Sequence, residues 1–282
     1  MAPVSSTSRR VVGTVAGEAT SDGAGVKLSR VIGQEALPDL DPFLLLDAFG
    51  SDDPEAYIAG FPSHPHRGFE TVTYMLAGRV RHRDNAGNEG LLGPGSVQWM
   101  TAGRGIVHSE MPEQENGLLS GFQLWVNLPA RDKMTAPRYQ EFAATEIPRV
   151  DVAPGVVAGL IAGSIGGRRG PVESGATAAF YADLGFDVGS SATIDLPAAH
   201  NAFVYVYDGT LKIGDDGTPI AAGSVAVLSL GNELRLVADT TARALVIAGA
   251  PLREPVVRYG PFVMNTEAEI HQAVRDYQAG RL

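Results

Sequence analysis

Tyr74-Met75-Leu76-Ala77-Gly78-Arg79-Val80 and Tyr205-Val206-Tyr207-Asp208-Gly209-Thr210-Leu211 share one pattern: an apolar run ends at a glycine, then an extended stretch resumes. A second pair, Leu92-Gly93-Pro94-Gly95-Ser96-Val97 and Ala221-Ala222-Gly223-Ser224-Val225, follows each copy. These pairs mark a degenerate internal repeat, and each copy reads as a small antiparallel barrel. The fold expected is all-β, two stacked barrels with a short C-terminal helix.

Working outward, period-2 alternation predicts strands over 70–75, 79–83, 96–100, 106–110 and 123–127 in the first half. Turn-forming residues separate them: Asn85-Ala86-Gly87-Asn88, Gly93-Pro94-Gly95 and Ala102-Gly103-Arg104-Gly105. Residues 129–137 break the alternation and read as a connector. Strands over 178–183, 202–207, 210–213, 224–228, 233–238 and 244–247 are predicted in the second half. From Thr266 to Ala279 the spacing of Ala268, Ile270, Ala273, Val274 and Tyr277 is helical, with a Thr to start it and Gly280 to end it. The expected domains are an N-terminal metal-binding barrel, residues 1–136, and a C-terminal barrel without ligands, residues 137–282, that ends in the helix.

Composition supports this reading. A chain of 282 residues that is 44% hydrophobic can fill two cores, and 34 Gly with 18 Pro suit many short strands joined by turns. The net charge of −10 disfavours direct nucleic-acid binding. Arg79, Arg81 and Arg83 alternate along one strand and read as a solvated face. With no cysteine, disulfides, thiolate metal sites, Cys nucleophiles and iron–sulfur clusters are excluded. The apolar run Val11–Val15 is too short for a signal core, and no stretch approaches the roughly 20 apolar residues of a membrane helix. A cytoplasmic protein that does not engage a membrane is expected.

Two short motifs carry the chemistry. Ser63-His64-Pro65-His66 puts two imidazoles at i and i+2, on one face of an extended chain. Val107-His108-Ser109-Glu110 does the same with an imidazole and a carboxylate. Three of the six His fall in these motifs, and if both faces look into one barrel, His64, His66, His108 and Glu110 converge as metal ligands. Nitrogen and carboxylate donors suit Fe(II), Mn, Ni, Cu or Zn, and a structural zinc site built on Cys is ruled out. Glu70 shares parity with His66 and could point inward either as a fifth ligand or, the favoured reading, as a carboxylate that orients a ligand imidazole. His82, flanked by Arg81 and Arg83, reads as a surface residue, His200 as a lone His and His271 as exposed on the helix. Aligning the repeat puts Asp195 and Pro197 opposite the first motif and Leu236 and Ala238 opposite the second, so one metal per chain is expected.

Long stretches then resemble the pirin family of the cupin superfamily. They are Asp41–Asp47, Gly60–Tyr74 with its Ser-His-Pro-His-Arg-Gly, Gly95–Glu110, Gly121–Pro129 and Gly260–Asn265. The resemblance implies two cupin (jelly-roll) barrels and one divalent metal in the first, iron above Mn, Ni, Co, Cu or Zn. It also implies that three His and one Glu, here His64, His66, His108 and Glu110, hold that ion. Some pirins resemble quercetin 2,3-dioxygenase, which implies a flavonol-like aromatic substrate and O2. Glu110 would then serve as the catalytic base, and Phe61, Phe69, Trp99 and Met111 would line an apolar pocket. The rival implication is a metal- and redox-dependent regulator that binds a protein partner, a transcription factor or a metabolic enzyme.

Overall fold

Alternation and turns become antiparallel strands throughout the computed structural model, which describes residues 6–114 and 116–282. Residues 1–5 of the N-terminal stretch lie outside the described residues. The expected strands are present, some unchanged or shifted by a residue or two and others longer, for example Phe69–Ala77 and Leu119–Asn127. Val26–Ile32 and Phe43–Ser51 are further strands that alternation does not reveal. Phe43 to Asp47 are all buried, so both strand faces are covered and no polar face interrupts the apolar run. The helix spans Glu267–Gln278 with Thr266 as N-cap in a capping box with Glu269.

The strands form two compact units that depart from the linear cut at 136/137. One comprises 18–145 with 252–282, the other 1–17 with 146–251. The first unit holds a seven-stranded sheet in the order Arg138–Phe142, Val97–Thr101, Phe69–Ala77, Leu119–Asn127, Phe43–Ser51, Val26–Ile32, Glu18–Asp22. Its second sheet runs Phe61–His66, Ile106–Pro112, Val80–Asp84, Glu89–Leu92. Apolar residues from both sheets, Val26, Met75 and Leu119 with Val80 and Leu92, pack into one cluster. The other unit repeats the scheme, with a four-stranded sheet in the order Ser191–Asp195, Glu233–Val237, Thr210–Ile213, Thr218–Ala221.

The physical reason for the altered division is strand pairing. In the first unit Arg138–Phe142 covers the edge beside Val97–Thr101, whereas the equivalent edge of the second, at Ser224–Leu228, is covered by Val11–Ala16 from the start of the chain. The C-terminal segment, in turn, joins the first unit: Arg67 forms a parallel bridge with Phe262, and Phe262 and Met264 pack under helix residues Ile270 and Ala273. Gly78 and Gly209, aligned in the repeat, both turn the chain with positive φ, at 78° and 70°.

Candidate metal centre

The sheet register brings the two motifs together. His64 and His108 are direct cross-strand partners in the antiparallel pair, and His66 lies two residues along the same strand. Ile106, His108 and Glu110 are the buried residues of their strand, so its alternate side chains face inward as the spacing demands. A one-residue slip of either strand would turn its own imidazoles outward. Their ring centroids form a near-equilateral triangle with sides of 4.5, 4.7 and 4.9 Å. One nitrogen from each lies within 4.8 Å of the others, the one such group of His and carboxylate donors among the described residues.

The nitrogens are set up to donate lone pairs. His64 Nδ1 is 2.8 Å from the Pro62 carbonyl, which can only accept, so its N–H donates there and Nε2 carries the lone pair. That Nε2 stands 3.0 Å from His66 Nε2. Two nitrogens each about 2.1 Å from one ion and at right angles to one another stand about 3.0 Å apart. Neither ring nitrogen of His108, a residue 1% exposed, has a hydrogen-bond partner among the described residues. Buried polar atoms left without a partner in the chain point to a partner outside it. Burial pushes the pKa of His66 well down, helped by His64, and burial does the same to His108, helped by His66, His64 and His82. Both rings therefore stay neutral, the form that binds metal. The residues fit an ion.

Glu110 is placed differently. It is buried, but its carboxylate is not among the atoms that converge with the imidazoles. Thr73 Oγ1 stands 2.9 Å from Glu110 Oε1 and 2.7 Å from Gln123 Oε1, able to donate its one proton to either, and Gln123 Nε2 donates to Glu110 Oε2 at 3.3 Å. Glu70, expected to orient an imidazole, instead accepts from Thr101 Oγ1 at 2.7 Å; burial raises its pKa, and that hydrogen bond opposes the rise. His82 is a correction too. It is buried at 2% exposure, its ring 4.6 Å from that of Tyr139, because its inward-facing strand position outweighs the flanking arginines. Those arginines are paired with acids, Arg81 with Glu89 and Glu113 and Arg83 with Glu89.

His64, His66 and Glu110 open on a cavity of about 630 Å³ within the first unit, a size suited to a small molecule. Of the four apolar residues expected to line it, only Phe61 does; Phe69 and Trp99 are buried in the sheet, and Met111 faces elsewhere. Its walls come instead from Leu28, Leu45, Phe49, Tyr57 and Trp125, with Thr73 and Gln123 beside Glu110. Cross-strand register supplies these residues, since Thr73, Gln123 and Asp47 sit opposite one another on three adjacent strands. Gln123 and Trp125 fall inside a strand the sequence predicts, but their face is fixed only by pairing. Arg258, distant in the chain, leaves no local signal. In the second unit the corresponding strand pair carries Ile194 opposite Leu234 and Ala192 opposite Leu236, within an apolar cluster.

Residues 25–126 match the family model for pirin and residues 181–282 that for the pirin C-terminal cupin domain. A protein of Pseudomonas aeruginosa named "Putative quercetin 2,3-dioxygenase" is 51% identical over 94% of this chain and 95% of its own length. A solved quercetin 2,3-dioxygenase from Acinetobacter baumannii is 35% identical, with a TM-score of 0.91 over 98% of both chains. The nickel(II) complex of the bacterial pirin YhhW from Escherichia coli, at 19% identity, shares the fold with a TM-score of 0.67 over 83% of this chain and 95% of that one. With matched domains in both halves and relatives that extend along nearly its full length, the chain belongs to the pirin family.

Proposed function

We propose that the chain is an iron-dependent dioxygenase of the quercetin 2,3-dioxygenase type, which opens a flavonol-like ring with O2. The observation that carries the reading is the convergence of three imidazoles, those of His66 and His108 buried and His108 with no partner for either ring nitrogen among the described residues, beside an apolar cavity. The names of the P. aeruginosa and A. baumannii relatives support it. Bound by His64, His66 and His108, Fe(II) supplies a Lewis acid for an enolic oxygen and a path for electrons to O2.

The remaining work falls to the chain's own groups. Phe61, Leu45 and Trp125 flank a flat ring and exclude water. Glu110 takes the proton of the substrate hydroxyl while Thr73 and Gln123 hold its carboxylate in the wall. As proton acceptor Glu110 uses these partners as they stand. As a fourth ligand it would use a lone pair that Thr73 and Gln123 leave free.

Quercetin is added to anaerobically iron-loaded protein and O2 is then admitted. Ring-opened product with release of carbon monoxide is expected, and Glu110→Gln should retain quercetin binding but react about 10²-fold more slowly or worse. Iron-loaded protein that gives no product and no carbon monoxide overturns the reading in favour of the regulatory one.

A further inference from the structure

The cavity has a second polar pole. Asp22, Arg30, Asp47 and Arg258 line its wall together with the apolar residues. Three of the four are mutually satisfied. Arg30 Nε donates to Asp47 Oδ1 at 2.9 Å, and its Nη2 donates to Asp47 Oδ2 and Asp22 Oδ2, both at 2.7 Å. Asp22 Oδ1 accepts from the Gly23 amide at 2.7 Å. Both carboxylates are thus committed to donors in the wall.

Arg258 is the exception. Its guanidinium carbon lies 4.8 Å from the centre of the Trp125 ring, and its one hydrogen bond among the described residues is a long one, Nη1 to the Leu44 carbonyl at 3.4 Å. It has no carboxylate within 4.0 Å among the described residues, unlike the other arginine of the cavity. Burial lowers its pKa, repulsion by Arg30 adds to this, and Asp47 and Asp22 partly offset both. The residue is exposed at the rim of the cavity, with its guanidinium laid against Trp125; the cation stays charged and has most of its five N–H donors unspent within the chain. Trp125 also touches His66, with centroids 5.3 Å apart. One indole therefore separates the guanidinium from the imidazole cluster.

We propose that Arg258 is a specificity-determining residue that binds the carboxylate of an aromatic acid, whose ring lies along Trp125 and whose hydroxyl points to the His64–His66–Glu110 end. A planar guanidinium pairs with a carboxylate through two parallel N–H···O bonds, stronger than those to a neutral amide. The apolar walls take the ring, and the committed state of Asp22 and Asp47 limits their repulsion of the anion. The inference rests on the cavity being a ligand site, as in the reading above, but not on turnover.

The test is equilibrium binding of 6-hydroxy-2-naphthoate and its carboxamide, a neutral twin of nearly the same shape, to the full chain, followed by tryptophan fluorescence. The wild type should prefer the acid by about tenfold or more. Arg258→Met should bring the ratio close to one by weakening the acid alone, and Arg258→Lys should keep part of the preference. Equal affinities in the wild type, or a preference that survives in Arg258→Met, overturns the proposal, as does failure of both ligands to bind. An acid preference without flavonol turnover leaves this inference standing and removes only the quercetinase reading.

Discussion

The Lys133 ammonium is 1% exposed and donates to Gly68 O and Asn127 Oδ1 at 2.7 Å and to Val263 O at 3.0 Å. It therefore braces the turn that follows His66. Gly68, with φ of 91°, is needed there, because a Cβ would lie 1.9 Å from the Val263 carbonyl. Lys133→Met leaves three acceptors without their donor and should lower unfolding free energy by on the order of 3 kcal/mol in urea titrations. Burial also lowers the Lys133 pKa from 10.5 to about 8, against the pull of Glu254 and Glu269. Between those values the unfolded chain holds a proton that the folded chain has released, so this group's contribution to stability rises with pH across that window. The gap between wild type and Lys133→Met should thus widen from pH 8 to pH 10. A constant gap refutes the linkage. At this scale the sequence was informative where parity sufficed. His64, His66 and His108 could be read from two i, i+2 motifs, whereas Thr73 and Gln123 beside Glu110 follow from register, and the inward turn of His82 from which strand face is covered.

The C-terminal helix was legible almost to the residue, because a capping box and a 3.6-residue period are local signals. What it packs against was not. Asp276 on this helix accepts from Arg67 Nη1 at 2.9 Å, and Arg67, which directly follows His66, also donates from Nε to the Arg104 carbonyl. The helix thereby fixes the backbone that aims an imidazole of the cluster, as outer groups do around metal sites. Hydrogen bonds from Arg281 and then Arg67 hold the Asp276 pKa down at about 2, so the link persists at neutral pH. Asp276→Asn should weaken metal binding by about tenfold, read by competition with a chelating dye, while Asp276→Glu should restore part of it. Unchanged affinity in a folded Asp276→Asn protein would show that the helix does not position the site.

At the scale of the molecule, the repeat predicted two barrels correctly but not how the chain is shared between them. Pairing across a sheet edge is non-local, and nothing within 11–16 indicates that its partner is 224–228. The duplication does show why one half carries the chemistry. Where the first unit sets His64 against His108, the corresponding strand pair of the second sets Ile194 against Leu234 and Ala192 against Leu236 within an apolar core, and no second cluster of metal donors occurs among the described residues. Elemental analysis should find one metal ion per chain, and the double substitution His64→Ala with His108→Ala should abolish it without loss of the β-rich circular dichroism spectrum. Metal retained by the double variant would locate the ion elsewhere.

The division of the chain also bears on its biosynthesis. A ribosome that has released only residues 1–145 has delivered every imidazole of the cluster, but not Asp276 to clasp Arg67 or Val263 to receive Lys133. The nascent pocket waits, unfastened, while the whole aliphatic half is translated. Residues 252–282, translated after that half, then close a structure begun before it.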